Sequence, residues 1–176
     1  MDIIVQKFGG TSVTTKERRK LVVEKIKHSL NNNCIPVVVV SAMGRKGDPY
    51  ATDTLLSLVN DEFKINNPKS MDFLMSCGEM ISTVVLCNDL YAQGIKAIPL
   101  TGGQAGIITD SKFNNASVKD VNTNMLMDLI SQDIVPVVTG FQGATEKGEI
   151  TTLGRGGSDT TASILGVALK AKEINI

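Results

Sequence analysis

Two stretches far apart in the chain carry the residues best suited to chemistry. The first is Lys7, set in the apolar run Ile3-Ile4-Val5-Gln6-Lys7-Phe8 and followed at once by Gly9 and Gly10. An ammonium among apolar neighbours is costly unless it reaches water or an anion. Paired glycines let main-chain N–H groups close on such an anion. The second is Gly154-Arg155-Gly156-Gly157-Ser158-Asp159, ahead of Ile164, Leu165, Ala168 and Leu169 at helical spacing. A helix starting near Ser158 and Asp159 offers free N–H groups and about half a positive charge to a ligand. Arg155 adds a planar fork that matches a carboxylate or phosphate in two places. A cation beside a backbone nest suits the oxygens of a transferring phosphoryl group. Plainer readings stand beside these: an edge-strand lysine with its stem along the surface, and a glycine-rich turn before a core helix capped by Asp159.

Ser41-Ala42-Met43-Gly44 and Thr101-Gly102-Gly103 also leave apolar runs, so four loops are expected to meet at one edge of a sheet. The lysine–glycine pattern is not a Walker loop, and no Gly-x-Gly-x-x-Gly opens the first strand–helix turn. The 18 basic and 18 acidic residues cancel, which removes the electrostatic case for nucleic-acid binding. The basic run Lys16-Glu17-Arg18-Arg19-Lys20 reads as the solvated face of a helix. Tryptophan is absent and aromatic residues are few, which argues against base-stacking platforms. Cys34, Cys77 and Cys87 have no Cys-x-x-Cys spacing and fit reduced thiols, and the single His28 makes no metal site. The chain opens without a basic-then-apolar leader pattern, and no apolar run is read as membrane-spanning. A soluble cytoplasmic globule is expected.

The elements that would position these groups follow from periodicity. At 176 residues the chain is one domain's worth. Residues 3–8 read as a strand. Thr14 and Glu17 have capping-box spacing for a helix carrying Leu21, Val22, Ile26 and Leu30. Residues 35–40 and 134–139 are apolar on both faces, the mark of central strands in a parallel sheet. Thr52 or Asp53 is expected to cap one helix through Leu55, Leu56, Val59 and Phe63. Residues 70–92 read as a helix that Gly78 interrupts. Residues 95–100 form a strand, 107–121 short extended pieces, 122–132 a helix, 140–152 a hairpin, and 173–176 the start of another strand. Strand and helix alternate, so the fold class is α/β, with a mostly parallel central sheet between helix layers.

With these residues in view, the chain resembles the aspartokinases of the amino-acid kinase superfamily. Lys7-Phe8-Gly9-Gly10-Thr11-Ser12-Val13 is similar to their opening signature. Val38-Val39-Val40-Ser41-Ala42-Met43-Gly44, Gly78-Glu79, Gly140-Phe141-Gln142-Gly143 and the stretch 151–161 match later motifs in order. The resemblance implies a three-layer α/β/α sandwich of the carbamate kinase-like type, with 1–176 as one kinase domain. It also implies a C-terminal truncation: a Thr-Asp-rich nucleotide-binding segment would follow Ile176, and ACT domains would lie beyond. The implied reaction moves the ATP γ-phosphate to the side-chain carboxylate of L-aspartate, with magnesium carried on the nucleotide and no protein metal site. Lys7, Phe8, Gly9 and Gly10 would hold the phosphoryl group, and Asp159 would orient Lys7. Arg155 would pair with a substrate carboxylate and Glu79 with its ammonium. Ser41, Thr52, Phe141, Gly156, Gly157 and Ser158 would line the aspartate pocket. Taken singly, Glu79 reads as a helix-surface carboxylate, Ser41 and Thr52 as loop or cap residues, and Phe141 as core. The resemblance further implies a homo-oligomer. The alternatives are a catalytically incomplete module that binds aspartate or a partner subunit, or another amino-acid kinase such as an acetylglutamate kinase.

Overall fold

The computed structural model describes residues 2–154 and 156–176. Its elements run β1 (Asp2–Phe8), α1 (Gly10–Val13), α2 (Lys16–Asn31), β2 (Cys34–Val40), α3 (Thr52–Leu56), α4 (Asp61–Asn66), α5 (Pro68–Tyr91), β3 (Ala97–Leu100) and β4 (Ile107–Thr109). They continue with β5 (Val118–Val121), α6 (Asn124–Ser131), β6 (Val135–Thr139), β7 (Gln142–Thr145), β8 (Ile150–Thr152), α7 (Gly157–Ala168) and β9 (Glu173–Asn175). Five strands pair in parallel in the order β3-β6-β2-β1-β9, and β5-β4-β7-β8 form a second, mixed sheet.

Strand parity sorts the core into two layers. In β2, Val37 and Val39 pack with Leu126, Leu129 and Leu165 of α6 and α7. Val38 and Val40 pack on the other face with Val23, Ile26, Leu86 and Leu90 of α2 and α5. All four valines are fully buried, each worth about 1.5 kcal/mol or more against exposure. A strand apolar on both faces therefore sits between two helix layers, as the valine run predicts. The hairpin at β7 and β8, the extended pieces at β4 and β5, and the late strand β9 are likewise where periodicity puts them.

Several boundaries differ from expectation. Thr15, not Thr14, caps α2 by accepting the Arg18 N–H, while Thr14 turns its hydroxyl back to the Gly10 carbonyl. The helix expected from Thr52 is two: α3 stops after Leu56, and Asn60 starts α4 by accepting the Phe63 N–H at 2.8 Å. A polar side chain that bonds its own backbone competes with helix continuation there. Ala51, not Thr52 or Asp53, occupies the cap position of α3. At α7 a left-handed Gly156 precedes the first helical residue, Gly157. Asp159 is therefore not a cap, and Ser158 and Asp159 stand in the first turn. Lys7 is not on an edge strand either, because β1 lies between β2 and β9. The strand β9 reaches only Ile4 to Gln6, which leaves Lys7 just past its end.

The central helix α5 is long and apolar enough to pass for a membrane span by length and composition, contrary to the reading of the apolar runs. Half of its most apolar window is buried within the fold. Its inner stripe changes character along its length, from Asp72, Ser76 and Glu79 to Leu86 and Leu90. Gly78 does not break it. A Cβ there would come within 2.8 Å of the Ala42 Cβ and 3.0 Å of the Tyr50 carbonyl, so glycine allows the loop after β2 to lie against the helix. Alanine's helix preference favours Gly78→Ala by about 1 kcal/mol, but overpacking costs about 1–3 kcal/mol. Gly78→Ala is expected to lower unfolding free energy by about 1 kcal/mol in urea titration; a stabilised variant would contradict this contact.

Candidate active site

Loops at the carboxyl ends of β1, β2 and β6 meet the first turn of α7 around a pocket of about 350 Å³. Their backbones are stitched at the strand ends: the Ser41 N–H donates to the Phe8 carbonyl, and the Gly140 N–H to the Val40 carbonyl at 2.8 Å. Gly44 donates its N–H to the Gly10 carbonyl at 3.1 Å. A Cβ on Gly10 would stand 2.6 Å from the Ala42 carbonyl, so the two loops touch only because residue 10 has no side chain.

Lys7 shares the strand face of Val5, which points toward α7. Its Nζ lies 2.6 Å from Asp159 Oδ1, with the lysine side chain 15% exposed and the aspartate 52%. Ser41 and Ser158 join across the pocket by a 3.1 Å hydroxyl contact. Phe141 has a left-handed backbone (φ 70), its N–H donates to the Thr161 hydroxyl, and its carbonyl accepts the Leu153 N–H. Its ring lies against Gly157. This non-glycine residue in a sparsely populated conformation marks local strain at the pocket wall.

Glu79 is only 3% exposed, so its reading as a surface carboxylate is overturned. Its Oε1 accepts the Ala42 N–H at 3.2 Å, while Oε2 has no partner among the described residues. Burial outweighs the backbone hydrogen bonds and pushes its carboxyl up to about 7. A buried carboxylate with an open oxygen at a pocket wall is suited to a cationic group that arrives with a ligand.

Of the residues singled out from sequence, Lys7, Gly10, Ser41, Thr52, Glu79, Phe141, Gly156, Gly157, Ser158 and Asp159 all line this one pocket. Phe8 does not: its side chain is buried in the layer beneath α2, because it has the opposite parity to Lys7. Gly9 is not in the lining but precedes α1 as its cap residue. Arg155 lies outside the described residues. The fourth glycine loop is elsewhere, since Gly102 and Gly103 pack on Gln142 and Ala144 of β7. Ala42 and Gly44 join the lining without having been named individually, although their loop was. Among the described residues no three His, Cys, Asp or Glu gather to hold a metal.

The sequence profile of the amino acid kinase family matches residues 2–176. Aspartokinase 1 of Bacillus subtilis is 51% identical over 176 residues, all of this chain and 44% of the relative. Aspartate kinase from Synechocystis, a solved structure, superposes with a TM-score of 0.74 at 43% identity, over 96% of this chain and 27% of its own. Aspartokinase III of E. coli, solved with aspartate and ADP, has a TM-score of 0.76 at 23% identity, over 97% of this chain and 47% of its own, a likeness of fold. The chain thus spans less than half the length of these proteins.

The Glu79 environment has a pH signature in the ligand-free protein. A carboxyl whose folded value is raised holds its proton more tightly when folded than unfolded. Its contribution to stability is complete at low pH and is lost as pH rises from the usual glutamate range to about 7. Between pH 4.5 and pH 8, Glu79→Gln should therefore gain up to about 3 kcal/mol relative to the parent. Parallel pH–stability curves from denaturant titration would contradict the burial of that charge.

Proposed function

We propose that this chain, which belongs to the amino acid kinase family, is the acceptor-binding and phosphoryl-transferring part of an aspartate kinase. Residues 1–176 then form part of one kinase domain. The carrying observation is that Glu79, buried with an oxygen unpartnered among the described residues, shares one pocket with the Lys7–Asp159 pair. An acidic amino acid has an ammonium for the first and carboxylates that bring the transferring phosphate to the second. Identity of 51% to an aspartokinase over the whole chain supports this substrate class.

In this reading the β-carboxylate of L-aspartate attacks the γ-phosphorus of ATP. A new O–P bond forms, and the bond to the bridging oxygen breaks with its electron pair leaving on ADP. The product is 4-phospho-L-aspartate, the entry to lysine, threonine and methionine synthesis. The nucleophile arrives ionised, so positioning and charge neutralisation are what the protein supplies. Lys7 and the N–H groups of the loop through Phe8, Gly9 and Gly10 bear on the transferring oxygens, and Asp159 orients Lys7. Glu79 takes the substrate ammonium, and Arg155 is assigned to a substrate carboxylate. Ser41, Thr52, Phe141, Gly156, Gly157 and Ser158 close around the rest. Magnesium comes with the nucleotide phosphates. The enzyme is a cytoplasmic homo-oligomer in this proposal.

Titration calorimetry of this chain with L-aspartate tests the acceptor site. Since Glu79 must ionise to meet an ammonium, binding at pH 6 should release up to about one proton per site, seen as a heat that varies with the buffer's ionisation enthalpy. The release should fade above pH 8 and vanish in Glu79→Gln. No aspartate binding at millimolar concentration, or preferential binding of N-acetylglutamate, would overturn the assignment. Adding MgATP and trapping the acyl phosphate with hydroxylamine tests transfer. Aspartate binding without a trapped product would make this chain the acceptor module alone. In an enzyme spanning the relatives' full length, Lys7→Ala should cut turnover by about a thousandfold or more while aspartate affinity changes by less than about threefold. Undiminished turnover would remove Lys7 from the transfer step.

A further inference from the structure

One fully buried carboxylate lies outside the pocket, and its partners among the described residues are all uncharged. Asp72, on the inner face of α5, accepts the Thr152 hydroxyl on Oδ1 at 2.6 Å and the Thr152 N–H on Oδ2 at 2.9 Å. The Asn114 N–H is shared between both oxygens at 2.9 and 3.0 Å. Burial still lifts the carboxyl above its ordinary range, against the pull of these donors. A buried charge with no counterion is a poor stabiliser by itself.

What Asp72 holds is the approach to the pocket. Thr152 ends β8, and its carbonyl accepts the Ala116 N–H at 2.9 Å. The next residue, Leu153, bridges to Ala116 and donates its N–H to the Phe141 carbonyl at 2.7 Å. A Cβ on Gly154 would collide with the Asn115 side-chain oxygen, so the chain leaving β8 passes directly against the loop that Asn114 belongs to. One carboxylate thus ties the end of β8, from which the chain leaves toward α7, to the β4–β5 loop it passes. Three donors converge on it, two N–H and one O–H, which only an acceptor without hydrogens satisfies; a side-chain amide would face a donor with a donor.

We propose that Asp72 is a positioning residue that fixes the exit of β8 at Leu153 and Gly154 through Thr152 and Asn114, and so the Phe141 wall of the acceptor pocket. The assignment rests on reading that pocket as the aspartate site. The test is amide hydrogen exchange on the ligand-free chain together with calorimetric aspartate binding. Asp72→Asn should speed exchange about tenfold at the Leu153 and Thr160 amides, bonded to Phe141 and Gly156, with less change at the β2 amides. It should weaken aspartate binding by about the same factor. Thr152→Ser, which keeps both donors, should preserve both properties. Uniformly faster exchange across all elements, with aspartate affinity of the folded protein unchanged, would make Asp72 a mere anchor and overturn the proposal. If Asp72→Asn does not fold, Thr152→Val removes only the hydroxyl and should give a local effect of about threefold; no local effect would again overturn it. Should the parent chain not bind aspartate while the local exchange change appears, the substrate reading fails and the positioning role stands.

Discussion

A one-residue slip of β1 along β2 would send Lys7 into the apolar layer beneath α2 and Phe8 toward the pocket. The registered pairing, from Asp2 opposite Cys34 to Phe8 opposite Val40, prevents it. Because side chains alternate along a strand, the pairing decides the whole site. Val5 and Phe8 enforce it by being buried on opposite faces. Gln6 adds a polar check, since its amide donates to the Ser29 hydroxyl of α2 at 3.1 Å. Lys7 is thus aimed by its neighbours' hydrophobicity, with Asp159 meeting it at the end. The parallel arrangement then brings the loops after β1, β2 and β6 to the same edge, where short backbone bonds tie them together.

The second constraint is α5, which serves two layers with one face. Its later half packs Leu86 and Leu90 beneath the sheet, and its earlier half carries Asp72, Ser76 and Glu79 where the strands end. Burying acidic groups costs folding free energy, and here it buries them beside main-chain donors that fix their position. Glu79 keeps an oxygen open among the described residues, whereas Asp72 has both oxygens bonded. The contrast separates a group suited to a ligand from one suited to holding the frame.

Much of this was legible in the sequence because its signals were local and strong. The valine runs read as central strands, since only a sheet covered on both sides tolerates them. Three of the glycine-bearing loops, after β1 and β2 and before α7, read as meeting at one sheet edge, because so few other residues permit such close backbone approach. What stayed hidden depended on tertiary contact. Gly78 resembles a helix breaker until the Ala42 loop is seen lying against it. Gly102 and Gly103 resemble the other glycine loops but pack on β7. Glu79 looks like a surface residue because apolar side chains such as Phe73 and Val84 also lie on the exposed face of α5, so periodicity does not identify its inner stripe. Asp72 gives no signal at all, since its partners lie 42 and 80 residues away.

The Lys7–Asp159 pair shows why geometry rather than ion-pair strength organises the pocket. Asp159 is about half exposed, and a pair so open to water contributes about 0–1 kcal/mol at most. Such a weak contact does not hold the fold, and its weakness suits a cation that must exchange partners. In the proposed reading, an incoming phosphate with several negative oxygens would draw the ammonium away at little cost, while Asp159 would limit where it swings. A deeply buried pair would resist that exchange, because separating it would strand a desolvated charge. The proposed reading therefore divides the work between the two ends of the pocket: Lys7, paired to a half-exposed Asp159, would yield to an anion, and the buried, open Glu79 would meet a cation.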